Sequence, residues 1–232
     1  MLEERYISGE HLEKVPDWHV EESPWKAKHI TRMMMRNHLT PKTICEVGCG
    51  FGEVLRQLQL RMSDECEFWG YEISPQAFER CQERSNERLH FKLVDIRQEQ
   101  GPVFDLMLVL DVVEHVENYI GFLREIRPKS RYKIFQIPLD LSAQTVLRGK
   151  VLLRLRESLG HIHYFTKDTA LQTLKDAGYQ IVDYAYTSSS IELPSHVLTT
   201  NLLRWPRKLF FALHQDLAVR VLGGHRLLIL AT

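Results

Sequence analysis

Three glycines at alternate positions, Gly48, Gly50 and Gly52, constrain the fold of this chain more than any other feature. They follow a short apolar run at residues 43–47, which is typical of a buried strand, and an amphipathic helical pattern covers residues 53–60. Glycine adopts positive φ, and without a Cβ atom it lets the backbone approach a ligand closely. A strand, a glycine turn and a helix are the first unit of a doubly wound sheet, whose ligand lies beyond the carboxyl end of the strand.

The spacing of the glycines indicates the charge of the ligand. A dinucleotide turn of the form Gly-x-Gly-x-x-Gly/Ala would have a small residue where this chain has Glu53. A carboxylate at that position would repel a pyrophosphate, and Glu46 adds a second acid just before the turn. The pattern therefore favours a cationic or zwitterionic ligand, although glycine triplets also occur in ordinary tight turns.

The run from Glu46 to Gly52 has the form Glu-x-Gly-x-Gly-x-Gly and resembles the class I S-adenosylmethionine-dependent methyltransferases. S-Adenosylmethionine carries a sulfonium and an ammonium group but no phosphate, so acids near its amino-acid end are favourable. The resemblance implies S-adenosylmethionine as the cofactor. In this turn it implies contacts from Glu46, Gly48, Cys49, Gly50 and Gly52.

Acidic residues also follow the next three predicted strands. Glu72 and Ile73 come after the second strand, where an acid accepts hydrogen bonds from ribose hydroxyls in nucleotide-binding and adenosyl-binding folds. The resemblance implies that Asp95, after the third strand, contacts the adenine amino group and that Ile96 packs on the ring. Asp111 follows the fourth strand at the same edge. The alternatives are a solvated glutamate at position 72 and a simple turn residue at position 95.

The motif Asp111-Val-Val-Glu-His-Val116 is similar to the branch of small-molecule methyltransferases related to ubiquinone-biosynthesis enzymes. Two interpretations of Glu114 and His115 remain open. They could start a helix and fix the loop, or they could take part in catalysis or bind a metal. Some quinone-ring and RNA-terminal ribose methyltransferases carry Glu-x-x-Glu-His with a magnesium ion. We expect no metal, because relatives with the Asp-x-x-Glu-His version have no evident need of one.

The segment Gly160-His-Ile-His-Tyr-Phe-Thr166 resembles the loop that borders the acceptor site in the same family. His161 and His163 are two residues apart, and in an extended segment they would point the same way. Imidazole titrates near neutral pH, which suits a general base. His115, His161 and His163 are therefore the candidate catalytic residues, with ordinary loop packing as the alternative.

Two segments outside the motifs are predicted to cover the site. Residues 1–40, which include Tyr6, Trp18 and His19, form a helical lid or else pack against the sheet edge. Residues 188–224 form a helical insertion, with residues 197–222 as one or two amphipathic helices broken at Trp205-Pro206. This insertion is predicted to cap the acceptor pocket and is a possible homodimer face. A basic amphipathic helix could also lie on a membrane.

Length and composition limit the remaining possibilities. The 232 residues fit one domain, 1–232, and the 30 basic residues balance the 30 acidic ones, so general nucleic-acid binding is not expected. No apolar run approaches the roughly 20 residues that span a bilayer. The four cysteines lack a Cys-x-x-Cys pair and the N-terminus lacks an apolar signal region, which favours a reduced, cytoplasmic protein.

The resemblance implies an α/β fold with a doubly wound, Rossmann-like sheet of seven mostly parallel strands and helices on both faces. The implied strand order is 3-2-1-4-5-7-6 with the last strand antiparallel. The predicted function is S-adenosylmethionine-dependent methylation of oxygen, nitrogen or carbon on a small-molecule acceptor. Three alternatives are a catalytically silent adenosyl-binding module without an enclosed acceptor pocket, a magnesium-assisted RNA-terminal ribose methyltransferase, and a nucleotide-dependent oxidoreductase.

Overall fold

The computed structural model of the chain describes residues 2–10, 12, 16–18, 20–101, 103–193 and 198–232. Within these residues a seven-stranded sheet is covered on both faces by helices. The strands are β1 (Thr43–Val47), β2 (Glu67–Glu72), β3 (Leu89–Leu93), β4 (Phe104–Leu110), β5 (Ser130–Pro138), β6 (Ile181–Thr187) and β7 (Arg226–Ala231).

The helices alternate with the strands and then accumulate near the end of the chain. They are α1 (Leu2–Ile7), α2 (Ser23–Arg36), α3 (Glu53–Gln59), α4 (Pro75–Gln82), α5 (Tyr119–Ile126), α6 (Ala143–Leu147), α7 (Val151–Ser158), α8 (Lys167–Asp176), α9 (Ser189–Glu192), α10 (Leu198–Leu213) and α11 (Gln215–Val221). Short 3₁₀ turns cover Val20–Glu22, Ile96–Gln98, Val113–His115 and Arg127–Lys129. Of the helices that the structure describes, none is long and apolar enough to cross a bilayer.

The strand order is β3-β2-β1-β4-β5-β7-β6, and the pairs are parallel except that β7 runs antiparallel to β5 and β6. The predicted fold class, order and antiparallel last strand are confirmed. The order reverses between β1 and β4, because β1 leads outward to β2 whereas β4 leads the other way to β5. In sheets of this kind the ligand crevice forms at the carboxyl ends of the strands on either side of that reversal.

The central strand β4 is apolar apart from Asp105 because helices cover both of its sides. Leu106, Leu108 and Leu110 pack in one buried layer with residues of α2 and α3. Met107 and Val109 pack in the other layer with residues of α5 and α8. This two-sided core holds the carboxyl end of β4 in a fixed position beside β1.

Side-chain caps explain where two of these helices begin. A serine or threonine directly before a helical pattern, as at Ser74, Thr166 and Ser23, predicts a cap. Ser74 accepts a hydrogen bond from the amide of Ala77 and caps α4, and Thr166 accepts one from the amide of Thr169 and caps α8. The prediction for Ser23 is wrong. Helix α2 begins at Ser23 itself, without a side-chain cap bond, and the Ser23 side chain is buried against the crevice described below.

Two helical patterns in the sequence have other boundaries in the structure. The pattern over residues 142–159 predicts a single helix, but the structure has two helices there, because Gly149 between them adopts a φ of 67°. The break predicted at Trp205-Pro206 is wrong, since α10 continues through Pro206 and ends at Leu213. Arg204 donates to the carbonyl of Ile191 and Arg207 to that of Gly223, so both sides of the proline are anchored. Residues 194–197 of the predicted insertion lie outside the described residues.

The close packing of β2 against β3 gives a first testable prediction. A Cβ atom on Gly70 would lie 2.4 Å from Phe91 Cδ1 and 2.7 Å from Cys49 Sγ. We expect Gly70→Ala to lower the free energy of unfolding by about 1–3 kcal/mol, the usual cost of overpacking a core. Urea denaturation measures this loss. Gly101→Ala is the control, because the nearest atom to its Cβ would be 3.5 Å away. Equal losses in the two variants would contradict the packing argument.

Candidate active site

Two adjoining cavities lie at the carboxyl edge of the sheet. The larger has a volume of about 260 Å³ and the smaller about 150 Å³. Trp18, Gly48, Asp111 and His115 line both cavities. The reversal of strand order therefore creates a crevice with two compartments that meet beside β1 and β4.

The glycine turn forms the floor between the two compartments. Gly48, Gly50 and Gly52 have φ values of 63°, 54° and 73°, which disfavour residues with a Cβ atom. A Cβ atom on Gly50 would also lie 3.0 Å from the indole of Trp18. The turn thus needs glycine both for its backbone conformation and for the close approach of the segment above it.

Glu72 is buried at the end of β2 and ties the glycine turn to that strand. Its carboxylate accepts hydrogen bonds from the amides of Gly50 and Ile73 at 2.8 Å and of Ser74 at 2.9 Å. Burial raises the pKa of Glu72, while these three bonds oppose the rise. Because two carboxylate oxygens offer about four acceptor sites, one remains for a ligand hydroxyl. Glu72 and Ile73 both line the smaller cavity.

The rest of the smaller cavity is mostly apolar. Ile96 is buried in its wall, and Tyr71 and Phe122 line it as well. Asp95 also lines it, but its carboxylate accepts hydrogen bonds from the Arg97 amide and the Arg97 Nε, both at 2.8 Å. Asp95 therefore caps the turn at Ile96–Gln98 as well as facing the cavity, so both of its predicted roles can coexist.

The N-terminal segment covers the crevice where the structure describes it. Trp18 lines both cavities and Tyr6 the smaller one. The ring centroid of Tyr6 lies 6.0 Å from that of His115 and 6.3 Å from that of Trp18. The predicted lid residue His19 lies outside the described residues. These contacts agree with a lid over residues 1–40, which stays a prediction.

Glu46 is buried in the wall of the larger cavity, next to the glycine turn. Its Oε2 atom has no hydrogen-bond partner among the described residues. Burial raises the pKa of Glu46 to about 8, against the opposing charge of Lys26. Buried polar atoms in native proteins are nearly always paired, so an unpaired carboxylate oxygen here indicates a group that a ligand completes. Cys49, whose pKa burial also raises, lines the same cavity.

Asp111 joins four elements at the point where the cavities meet. Its Oδ2 atom lies 2.7 Å from Lys26 Nζ and 2.8 Å from Gln136 Nε2, and its Oδ1 lies 3.4 Å from Arg226 Nε. Burial alone would raise its pKa, but the charges of Lys26 and Arg226 hold the pKa of Asp111 well below its usual range. It also has a φ of 54°, a conformation that Asp tolerates better than most residues.

Two of the three candidate histidines reach the cavities. His161 is buried and lines the larger cavity, and its Nδ1 lies 2.7 Å from Asp140 Oδ2. His115 lines both cavities, and its Nδ1 lies 3.1 Å from the carbonyl oxygen of Gly160. The two rings meet edge to face with centroids 4.9 Å apart. His115, His161 and Asp140 thus form one polar group on the wall of the larger cavity.

His163 lies elsewhere. Its Nε2 atom is 3.0 Å from the carbonyl oxygen of Val116, its ring packs on Tyr119, and it lines neither of the two cavities. The expectation that His161 and His163 point the same way assumed an extended segment. The amides of Ile162 and His163 instead donate to one carbonyl, that of Glu114, whereas consecutive amides of a regular strand point in opposite directions.

Glu114 is buried behind the two cavity histidines. Neither of its carboxylate oxygens has a hydrogen-bond partner within the described residues, and Oε1 lies 3.9 Å from His115 Nε2. Burial, and then the charge of Asp111, raises the pKa of Glu114 well above its usual range. Glu114, His115 and His161 offer ligand atoms that all lie within 4.8 Å of one another, so this trio could hold a divalent cation. The motif had suggested Asp111 in place of His161.

Comparison with known proteins decides the family. The model of a methyltransferase-domain family matches residues 18–184, more than half of the chain. The chain belongs to this methyltransferase family. Its cofactor is S-adenosylmethionine, and the oxidoreductase alternative is set aside. No curated protein matches the chain.

Solved structures that are similar to this methyltransferase share its fold. Magnesium protoporphyrin IX methyltransferase from Synechocystis PCC 6803, with bound SAH, is 16% identical and covers 90% of this chain and 81% of its own, with a TM-score of 0.59. The plantazolicin methyltransferase BpumL, in complex with a monoazolic desmethylPZN analog and SAH, is 16% identical. The match covers 99% of this chain and 95% of BpumL, with a TM-score of 0.62. A putative sarcosine dimethylglycine methyltransferase from Galdieria sulphuraria is 11% identical. The match covers 89% of this chain and 83% of that protein, with a TM-score of 0.62.

Sequence reasoning missed three residues of the methyltransferase's crevice: Lys26, Asp140 and Arg226. Lys26 and Arg226 reach Asp111 from opposite ends of the chain, so no local pattern could connect them. The sequence could have indicated Asp140, because this acid comes two residues after Pro138, which ends β5 at the carboxyl edge of the sheet. Its partnership with His161 depends on the tertiary fold.

The buried Glu46 predicts how the stability of the ligand-free methyltransferase depends on pH. Its folded pKa of about 8 lies above the ordinary value of 4.5, so the folded state retains a proton that the unfolded state has lost. That contribution to stability is complete below pH 4.5 and is lost as the pH rises through about 8. We expect the free energy of unfolding to fall between pH 4.5 and about pH 8, and to fall less in Glu46→Gln. Urea denaturation across this range measures both slopes, and equal slopes would contradict the assignment.

Proposed function

We propose that this methyltransferase transfers the methyl group of S-adenosylmethionine to a small molecule held in the larger cavity. The observation that carries the proposal is the pair of adjoining cavities: Glu72 lines the smaller one, and the glycine turn, Glu46, His161 and Asp140 line the larger one. The cofactor would fill the smaller cavity and the part of the larger one beside Glu46. A catalytically silent adenosyl-binding module would need that space alone, so the remaining space beside His161 and Asp140 supports an enzyme.

The residues of the crevice fit the parts of the cofactor. The apolar walls at Ile96 and Phe122 suit an adenine ring, with Asp95 beside them for the amino group. Glu72 has acceptor capacity for ribose hydroxyls, and the unpaired oxygen of Glu46 suits an ammonium group. When bound, S-adenosylmethionine supplies a methyl group that its sulfonium has already activated. The protein's task is therefore alignment and exclusion of water, which can lower a barrier by up to roughly 7–11 kcal/mol.

Within this proposal, His161 is the general base. Asp140 accepts a hydrogen bond from Nδ1–H of His161, which fixes the tautomer and leaves Nε2 free to take the proton that the acceptor loses. The same carboxylate would stabilise the imidazolium that results. His115 borders both cavities and is held by the carbonyl of Gly160, so we assign it to positioning. His163 is assigned to the packing of its loop, because it lines neither cavity.

A second candidate has a specific observation in its favour. Glu114 has two buried oxygens without partners, and with His115 and His161 it could hold a divalent cation at the acceptor site. A cation there would polarise an acceptor hydroxyl, as a magnesium-assisted RNA-terminal ribose methyltransferase requires. Under this alternative His161 is a metal ligand and cannot act as the base.

Glu72 gives the test of the cofactor assignment. Glu72→Ala removes a charged acceptor, and a hydrogen bond to a charged group contributes about 1.5–3 kcal/mol, so S-adenosylmethionine affinity should fall by about 10- to 150-fold. Calorimetry measures the loss. Glu67→Ala is the matched control, because Glu67 is an exposed acid at the opposite end of the same strand. An affinity loss below about threefold in Glu72→Ala would remove the residue from the site.

His161 and Asp140 give the test of the base. An acceptor is first found by screening a metabolite extract for methylation by the purified protein. We then expect His161→Ala to lower kcat by about 10²–10⁴, the usual contribution of a positioned base, with S-adenosylmethionine affinity nearly unchanged. Asp140→Asn should lower kcat in the same direction, and His163→Ala should leave it within about tenfold.

A chelator separates the two mechanisms. If activity survives chelation and depends on His161, the base assignment holds. Loss of activity with a chelator, restored by magnesium, would support the cation alternative instead. If the His115, His161 and His163 variants each retain near-parental kcat, none of these histidines is the base. Alignment of the cofactor and the acceptor would then account for catalysis.

A further inference from the structure

Two helices near the end of the chain, α10 and α11, expose large apolar side chains to solvent. Trp205, Leu209 and Leu213 follow one another at intervals of four on α10, which places them on one face of that helix. Leu217 and Val221 have the same spacing on α11 and are also exposed. Trp205 is 76% exposed, although a buried position is usual for so large an apolar residue.

The neighbouring helices α6 and α7 extend this apolar surface. Val146, Leu147 and Leu153 are exposed there. The two pairs of helices meet at Gly223, whose amide donates to Gln144 Oε1 at 3.3 Å and whose carbonyl accepts from Arg207. We call the outer side of α6, α7, α10 and α11 the cap face.

The cap face is basic in a chain whose net charge is zero. Residues 143–158 and 204–221 together contain eight arginine and lysine residues but two acids, Glu157 and Asp216. Asp216 already pairs with Lys167, and Arg220 pairs with Asp168 at 2.9 Å, so seven of the eight cations have no acid partner among the described residues of this face other than Glu157. The exposed cations of the two segments are Arg148, Lys150, Arg154, Arg156, Lys208 and Arg220.

The inner side of α7 faces the methyl-transfer site. Leu155 of α7 and Leu159 just after it line the larger cavity, as do Ser189 and Ser190 of the neighbouring α9. The cations of α7 lie on its exposed side, so they do not contribute to that cavity. The cap face is therefore a second, outward surface that the methyl-transfer site leaves unexplained.

We propose that the cap face docks on an anionic lipid bilayer. Exposed apolar side chains with a tryptophan, surrounded by cations, are the arrangement by which amphipathic helices lie in the interface of a negatively charged membrane. The apolar side chains enter the boundary of the acyl chains, while the arginine and lysine heads meet the lipid phosphates. This docking stands on the surface alone and does not depend on the proposed acceptor.

Charge decides between the bilayer and a second copy of the chain. In a two-fold dimer the same surface is present on both sides, so the cations of one cap face would oppose those of the other. The two acids of the cap-face segments are too few to neutralise eight cations. A homodimer through residues 197–222 is therefore less favourable than docking of the cap face on a bilayer. The experiment tests for the homodimer as well.

Vesicle sedimentation tests the proposal with the full chain. We expect at least about tenfold stronger partitioning onto vesicles that contain phosphatidylglycerol than onto pure phosphatidylcholine, with the difference reduced as salt screens the charges. Leu213→Asp should weaken partitioning by about tenfold or more, as should Lys208→Glu combined with Arg154→Glu. Leu60→Asp is the matched control, because Leu60 and Leu213 are both 67% exposed and Leu60 lies outside the cap face.

Circular dichroism and S-adenosylmethionine binding confirm that each variant is folded. No preference for the anionic vesicles would overturn the proposal, and so would equal losses in Leu213→Asp and Leu60→Asp. Analytical ultracentrifugation tests for the homodimer. A dimer that Leu213→Asp dissociates, together with no vesicle binding, would assign the cap face to a second copy of the chain.

Discussion

The carboxylate of Asp111 is the interaction on which the crevice depends. It lies at the end of β4 and is held by Lys26 from α2, Gln136 from β5 and Arg226 from β7. Arg226 in turn pairs with Glu22 at 2.9 Å, just before α2 begins. The Asp111 carboxylate is partly withdrawn from water, so its three partners stabilise its charge in place of water. The ion-pair group therefore fixes the place where the two cavities meet.

The same edge of the sheet holds three further buried acids, Glu46, Glu72 and Glu114. Burial raises the pKa of each, and Glu46 and Glu114 retain oxygens without partners among the described residues. Such groups cost stability in the ligand-free protein, and a fold retains them where a ligand completes them. Cofactor and acceptor binding thus acts on a site whose polar groups are already desolvated and in position.

Local patterns predicted much of this architecture because they depend on neighbours in the chain. Positive φ at Gly48 and Gly50, apolar strands and side-chain caps such as Thr166 are decided within a few residues. Two of the predictions that failed depended on distant contacts. Pro206 does not break α10, where arginines on both sides of it reach other segments. His163 turns away from the cavity because the carbonyl of Glu114 receives two consecutive amides.

The short motifs were enough to predict the glycine turn and the acids at the strand ends, and their resemblance to the methyltransferase family implied the class of fold and the strand order. The tertiary structure decided which of these groups act together. It paired His161 with Asp140, and it brought Lys26 and Arg226 to Asp111 from separate segments of the chain. Electrostatic partnerships fall off over a few ångströms, so they depend on distances in space that separation along the chain does not reveal.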